Sequence, residues 1–126
     1  MRNTVFLTAA EAARLRELAV STRTAPELRR SLHAVLDRAE IRPAQALPAA
    51  VVRLHAPFLC IEVRHREHFH WRIVYPEQAD FGRGWLSVLS PAGVALLGTP
   101  VGCPVRLPVE GDGQALELLV EEVLPG

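Results

Sequence analysis

Three closely spaced histidines form the densest group of potential metal ligands in the chain: His65, His68 and His70. Neutral imidazole is a common zinc ligand, and on a strand residues 68 and 70 point to the same side. No cysteine or aspartate joins these histidines at a recognised metal-site spacing. We therefore expect a solvated turn between two strands and no metal, and we keep a metal-binding module as the alternative.

The two cysteines, Cys60 and Cys103, are the next candidates for chemistry. Both fall in stretches that we predict to be strands, where a free cysteine behaves as a small apolar side chain. We expect two buried thiols in a reducing cytoplasm. A disulfide or a metal pair remains the alternative.

The other polar residues favour binding over catalysis. They show no nucleophile–histidine–acid spacing and no glycine-rich phosphate loop, so we predict that the protein is not an enzyme and has neither catalytic residues nor a cofactor. The formal net charge is zero, which does not favour sequence-specific binding of nucleic acid. The first seven residues are too short for a signal peptide and no apolar run is long enough to span a membrane, so we expect a cytoplasmic protein.

Two helices are predicted at the start of the chain, over residues 8–22 and 26–42. Thr8 and Glu11 have the spacing of a capping box, and Pro26 suits the first turn of the second helix. The short link between the helices makes them antiparallel neighbours. The result is a helical hairpin with a polar tip formed by Thr22, Arg23 and Thr24.

After a proline-containing hinge at residues 43–48, the pattern changes to strands. The predicted strands are 51–55, 58–65, 69–75, 85–89, 105–109 and 115–123, with one helix at 91–97. Gly111-Asp112-Gly113 is typical of a hairpin turn. We therefore divide the chain into a hairpin domain, 1–46, and a sheet domain, 47–126.

The most informative segment is Gly84–Gly98, a strand that leads directly into a short capped helix. Ser90 suits the N-cap, Pro91 suits the first helical position, and Gly98 suits a left-handed end. With Gly102 downstream, this segment closely resembles the C-terminal domain of the GreA/GreB transcript cleavage factors. It is most similar to their Rnk branch, the regulators of nucleoside diphosphate kinase.

Further matching segments extend the resemblance over nearly the whole chain: 37–40, 51–54 and 74–77. The resemblance implies an α+β fold, in which a short antiparallel helical hairpin precedes an FKBP-like domain built from a twisted antiparallel sheet around one short helix. It also implies a partner, bacterial RNA polymerase, whose secondary channel admits the hairpin.

Carried over residue by residue, the resemblance places polymerase contacts at Leu89, Ser90, Pro91 and Ala92, and at the hairpin tip. Cleavage factors typically have an acidic residue where this chain has Leu89, and the Rnk branch is apolar there. Cleavage factors also carry two acidic residues at the tip to hold a second Mg²⁺, which prefers oxygen ligands. Residues 21–25 contain no carboxylate, and the hairpin is short.

The expected function is therefore that of a non-catalytic regulator that binds at the secondary channel and competes with cleavage factors. A divergent cleavage factor that uses Glu27, near the start of the second helix, is the alternative. A single acid at that position is also favourable for the helix dipole without any metal.

Overall fold

A computed structural model describes residues 4–108 and 115–125 of the chain. The chain divides into two compact units, Met1–Pro48 and Ala49–Gly126. The predicted turn Gly111-Asp112-Gly113 lies outside the described residues. Within the described part, no helix is long and apolar enough to cross a membrane.

The first unit contains two helices that pack against each other, α1 (Ala9–Val20) and α2 (Pro26–Asp37). The predicted capping box is confirmed, because the Thr8 hydroxyl accepts the Glu11 N–H and the Glu11 carboxylate accepts the Thr8 N–H. Each helix has 12 residues and is about 18 Å long at about 1.5 Å per residue. Buried apolar side chains hold the pair together: Ala12, Leu15, Ala19, Leu32 and Val35.

The second helix is shorter than predicted. It ends at Asp37, and the chain then enters a short strand, β2 (Ala39–Ile41). This strand pairs in parallel with β1 (Val5–Leu7), which we did not predict. Val5 and Leu7 are buried on β1. Pairing of residues 39–41 with this buried strand therefore stabilises the fold more than an extension of α2 past Asp37 would.

The second unit is a five-stranded sheet with one short helix. Its elements are β3 (Phe58–Glu62), β4 (Glu67–Val74), β5 (Trp85–Ser87), α3 (Pro91–Leu96), β6 (Pro104–Pro108) and β7 (Ala115–Val123). The strand order is β5-β4-β3-β7-β6. Because α3 contacts both β5 and β6, the two outer strands, the sheet curls around the helix. The predicted α+β class is confirmed.

The sheet differs from the prediction in several ways. Four of the predicted strands have ends that are wrong by one to three residues. The pairing is antiparallel except at β5, which runs parallel to β4. The predicted strand 51–55 is wrong: only Val51 forms a bridge, to Pro100, and the chain then turns. The apolar residues of that segment are nevertheless buried, as Val52 and Leu54 show, so their hydrophobic pattern reflects burial and not a ladder.

Candidate docking surface

The Ser90–Pro91 corner is held by local hydrogen bonds. The Ser90 hydroxyl accepts the Gly93 N–H at 3.0 Å and donates to the Ser87 carbonyl at 2.7 Å. Pro91 occupies the first turn of α3, as predicted, and is exposed. Gly93 lies so close to the Ser87 carbonyl that a Cβ would overlap with it. The corner is therefore a fixed feature of the surface.

An apolar groove begins at this corner. It comprises two cavities of about 500 and 480 Å³ with shared lining residues: Phe81, Leu86, Ala92, Leu107 and Leu116. The first cavity includes Ser90 and Pro91 in its lining, and the second extends to Phe69 and Trp71 on β4. The groove thus lies on the part of the sheet's inner face that α3 leaves open.

Aromatic rings form much of the groove wall. Phe69 and Trp71 are stacked, with ring centroids 4.5 Å apart and planes inclined by 20°. Trp85 is half-buried, whereas Phe81 is 79% exposed. Such an exposed aromatic side chain beside an open groove is typical of a surface that binds a partner.

Carboxylates mark the far end of the groove, where Glu62 and Glu67 belong to its lining. Burial opposes ionisation of Glu62, but hydrogen bonds from the backbone N–H groups of Arg64 and His65 and from the His65 ring outweigh it and lower the pKa of this carboxyl. Glu62 is therefore a buried carboxylate that remains charged. It also closes the turn between β3 and β4.

Two hydrogen bonds to Ser21 hold the hairpin tip. The Arg23 N–H donates to the Ser21 hydroxyl at 3.2 Å, and the Arg29 side chain donates to the Ser21 carbonyl at 3.3 Å. Thr22 and Arg23 are exposed. Thr24 is buried, so its side chain supports the turn and does not face outward as the sequence suggested.

The three histidines do not converge. The His65 ring pairs with Glu62, His68 Nδ1 lies 3.3 Å from a Glu121 carboxylate oxygen, and His70 is exposed on β4. Among the described residues, no group of three potential ligands is arranged to hold a metal ion.

Both cysteines are free. Cys60 is buried on β3, where burial and the nearby charge of Glu121 raise the pKa of its thiol to about 12. Cys103 is half-exposed and immediately precedes β6. Cys60 is thus a buried thiol on a strand, as predicted, whereas the prediction of a buried strand position is wrong for Cys103.

Sequence reasoning located the corner but missed the rest of the groove. From the sequence, none of four groove residues was assigned to a site: Phe69, Phe81, Leu107 and Leu116. These residues lie on four separate segments of the chain, and no local spacing brings them together. An apolar aromatic in the polar stretch 76–84 is the one signal that could have identified Phe81.

Comparison with known proteins gives a consistent result. Residues 47–123 match the family described as transcription elongation factor, GreA/GreB, C-term. The chain is 31% identical over 88 residues to the transcription elongation factor GreA of Methylobacterium sp. (strain 4-46), covering 70% of this chain and 56% of that protein. The chain thus spans little more than half the length of this relative.

Two solved structures share the fold. A prokaryotic transcription elongation factor GreA/GreB from Nitrosomonas europaea superposes with a TM-score of 0.82 at 30% identity, covering 98% of this chain and 100% of that one. Gfh1 from Thermus aquaticus gives a TM-score of 0.54 at 22% identity, with coverage of 98% and 100%, and this likeness concerns the fold alone.

Proposed function

This chain belongs to the GreA/GreB family of transcription elongation factors, and from that premise we propose that it binds bacterial RNA polymerase without stimulating transcript cleavage. The proposal is supported above all by the groove, which extends from the Ser90–Pro91 corner within the part of the chain that matches the family. A fixed polar corner next to an open apolar groove provides both orientation and buried area for a protein partner.

The proposed contacts are those expected from the resemblance, without the buried Thr24 and with the groove added. Leu89, Ser90, Pro91 and Ala92 form the corner. Leu89 donates its N–H to the Ser87 hydroxyl at 3.0 Å, so the apolar residue that replaces the cleavage factors' acid is held at the same corner. Thr22 and Arg23 supply the contacts of the hairpin tip inside the secondary channel.

The composition of the hairpin tip is the reason for proposing that the protein does not stimulate transcript cleavage. The turn between α1 and α2 contains no carboxylate, and its exposed cation, Arg23, would repel a second Mg²⁺. Glu27 is exposed in the first turn of α2, where it interacts favourably with the helix dipole. Helices of about 18 Å also limit how far the tip extends from its base.

Such a protein would compete with cleavage factors for the secondary channel, as the resemblance to the Rnk branch implies. The first experiment measures binding of the full chain to core RNA polymerase, with and without excess GreA-type factor. We expect retention of the chain and its displacement by the factor. Failure to bind, or binding that excess factor does not reduce, would contradict the proposed docking.

A matched pair of variants locates the docking surface. Ala92→Arg places a charged side chain in the groove, whereas Ala50→Arg makes the same change at an exposed turn of the same unit. We expect Ala92→Arg to abolish binding and Ala50→Arg to leave it unchanged. A transcript cleavage assay on backtracked complexes completes the test: shortening of the RNA by the wild-type chain would favour a divergent cleavage factor.

A further inference from the structure

A small pocket on the β4–β5 edge of the sheet contains more positive than negative charge. The pocket has a volume of about 240 Å³, and its lining includes His70, Arg72, Arg83 and Trp85. The Arg72 and Arg83 guanidinium groups each lie 5.4 Å from the centroid of the Trp85 ring. Both cations are thus positioned by the same aromatic side chain.

The backbone fixes this arrangement. Arg72 and Trp85 are register partners in the parallel β4–β5 pair, and the Arg72 N–H donates to the Gly84 carbonyl at 2.9 Å. Gly84 has a φ of 78°, and a Cβ there would overlap with the His70 carbonyl. The turn that delivers Trp85 to Arg72 therefore depends on glycine.

The arginines of the pocket have few carboxylate partners. Arg83 has a weak partner in Asp80, with 3.4 Å between Nε and Oδ2, and both side chains are more than half exposed. In the described part of the chain, no carboxylate pairs with Arg72 or His70. Bringing two guanidinium groups to one ring costs electrostatic free energy that a bound anion would offset.

We propose that this pocket binds a phosphate group. Guanidinium groups bind phosphate oxygens through paired N–H donors, and two such groups beside an imidazole suit a multiply charged anion better than a single carboxylate. The pocket is small, about 240 Å³, which favours a small phosphorylated compound over a nucleic-acid backbone. The pocket shares Trp71 and Trp85 with the groove, but its cations line the pocket and neither groove cavity. The proposal does not depend on polymerase binding.

The test uses the intrinsic fluorescence of the full chain, because its two tryptophans, Trp71 and Trp85, both line the pocket. The probe is pyrophosphate at constant ionic strength. Arms with acetate and with a short single-stranded RNA distinguish the other sources of negative charge. We expect a saturable change with pyrophosphate at about 1 mM, the affinity that two or three charge-assisted hydrogen bonds provide.

Variants then assign the response to the pocket. Arg83→Gln should weaken pyrophosphate binding about tenfold or more without affecting the fold, since this side chain is largely exposed. Arg72→Gln should have a similar effect, and Arg106→Gln, at an exposed position on β6, should have none. Asp80→Asn should tighten binding severalfold, because it releases Arg83 from its competing partner.

Each contrary result overturns the proposal. A response that does not saturate, or that persists in Arg72→Gln and Arg83→Gln, would show that the arginines hold no phosphate. An equal response to acetate would remove the preference for phosphate. Binding of the RNA but not of pyrophosphate would assign the pocket to nucleic acid instead.

Discussion

Replacement of Phe81 by alanine separates binding from folding at the groove. Phe81 lines both groove cavities, yet 79% of its surface is exposed. Its removal should change the free energy of unfolding by no more than about 0.5 kcal/mol, as for other exposed side chains. Leu86, which lines the same groove but is 5% exposed, should cost about 2–5 kcal/mol when replaced by alanine.

The effect on binding follows from the area still available for burial. Burying a whole phenylalanine side chain contributes about 1.5–3 kcal/mol, and most of that gain remains available because the ring is exposed in the free protein. Removal of the ring should therefore weaken the binding free energy for a partner that covers Phe81 by about 2 kcal/mol. This corresponds to a roughly 30-fold increase in the Kd for core RNA polymerase.

The measurement combines biolayer interferometry on immobilised core polymerase with urea unfolding followed by circular dichroism. Val101→Ala is the matched control, because Val101 is an exposed apolar residue between α3 and β6 that does not line the groove and lies away from the hairpin tip in the chain. An unchanged Kd for Phe81→Ala would show that the partner does not cover the groove. A parallel loss of stability and binding would show that Phe81 supports the fold, which contradicts its exposure.

Three further predictions concern the N-cap of α3, the Glu62 carboxylate and the two thiols. Ser90→Ala should lower the free energy of unfolding by about 1 kcal/mol in urea, because it removes the N-cap of α3; an unchanged midpoint would show that the cap does not stabilise the corner. The pKa of Glu62 is lower in the folded state than its ordinary value of 4.5, so its carboxylate stabilises the fold above that pH, and the contribution is lost as the pH falls through the folded pKa. Glu62→Gln should therefore reduce stability at neutral pH and weaken its dependence on acid, as measured by thermal unfolding from pH 7 to 3; an unaltered profile would contradict the assigned hydrogen bonds. At pH 8, a thiol reagent should modify Cys103 in the native protein and Cys60 only in denaturant, since burial raises the pKa of Cys60 to about 12; rapid modification of both thiols would contradict this burial.

Features encoded by neighbouring residues were predictable from the sequence. Thr8 with Glu11, and Ser90 with Pro91, specify helix starts through contacts three residues apart or fewer, and both helices begin at the expected places. The strand Ala115–Val123 also has the predicted bounds. In these segments local propensity and tertiary packing favour the same structure.

Features that depend on distant partners were not predictable. The end of α2 at Asp37 depends on a ladder with Val5–Leu7, more than thirty positions earlier in the chain. The segment 51–55 has a strand-like composition, but an isolated bridge to Pro100 is its one ladder contact. The groove and the phosphate pocket depend on a curled sheet and on a parallel β4–β5 pair, which alternation of apolar and polar residues does not specify.

The small parallel ladder between β1 and β2 should allow the length of the helical hairpin to be changed without altering its base. Because β1 directly precedes α1 and β2 directly follows α2, the paired strands hold together the start of α1 and the end of α2. Matched insertions of seven residues, two helical turns in each rod, would extend the tip by about 10 Å and preserve the facing apolar stripes. A series of such chimaeras would act as a molecular ruler for the depth of a partner's pore.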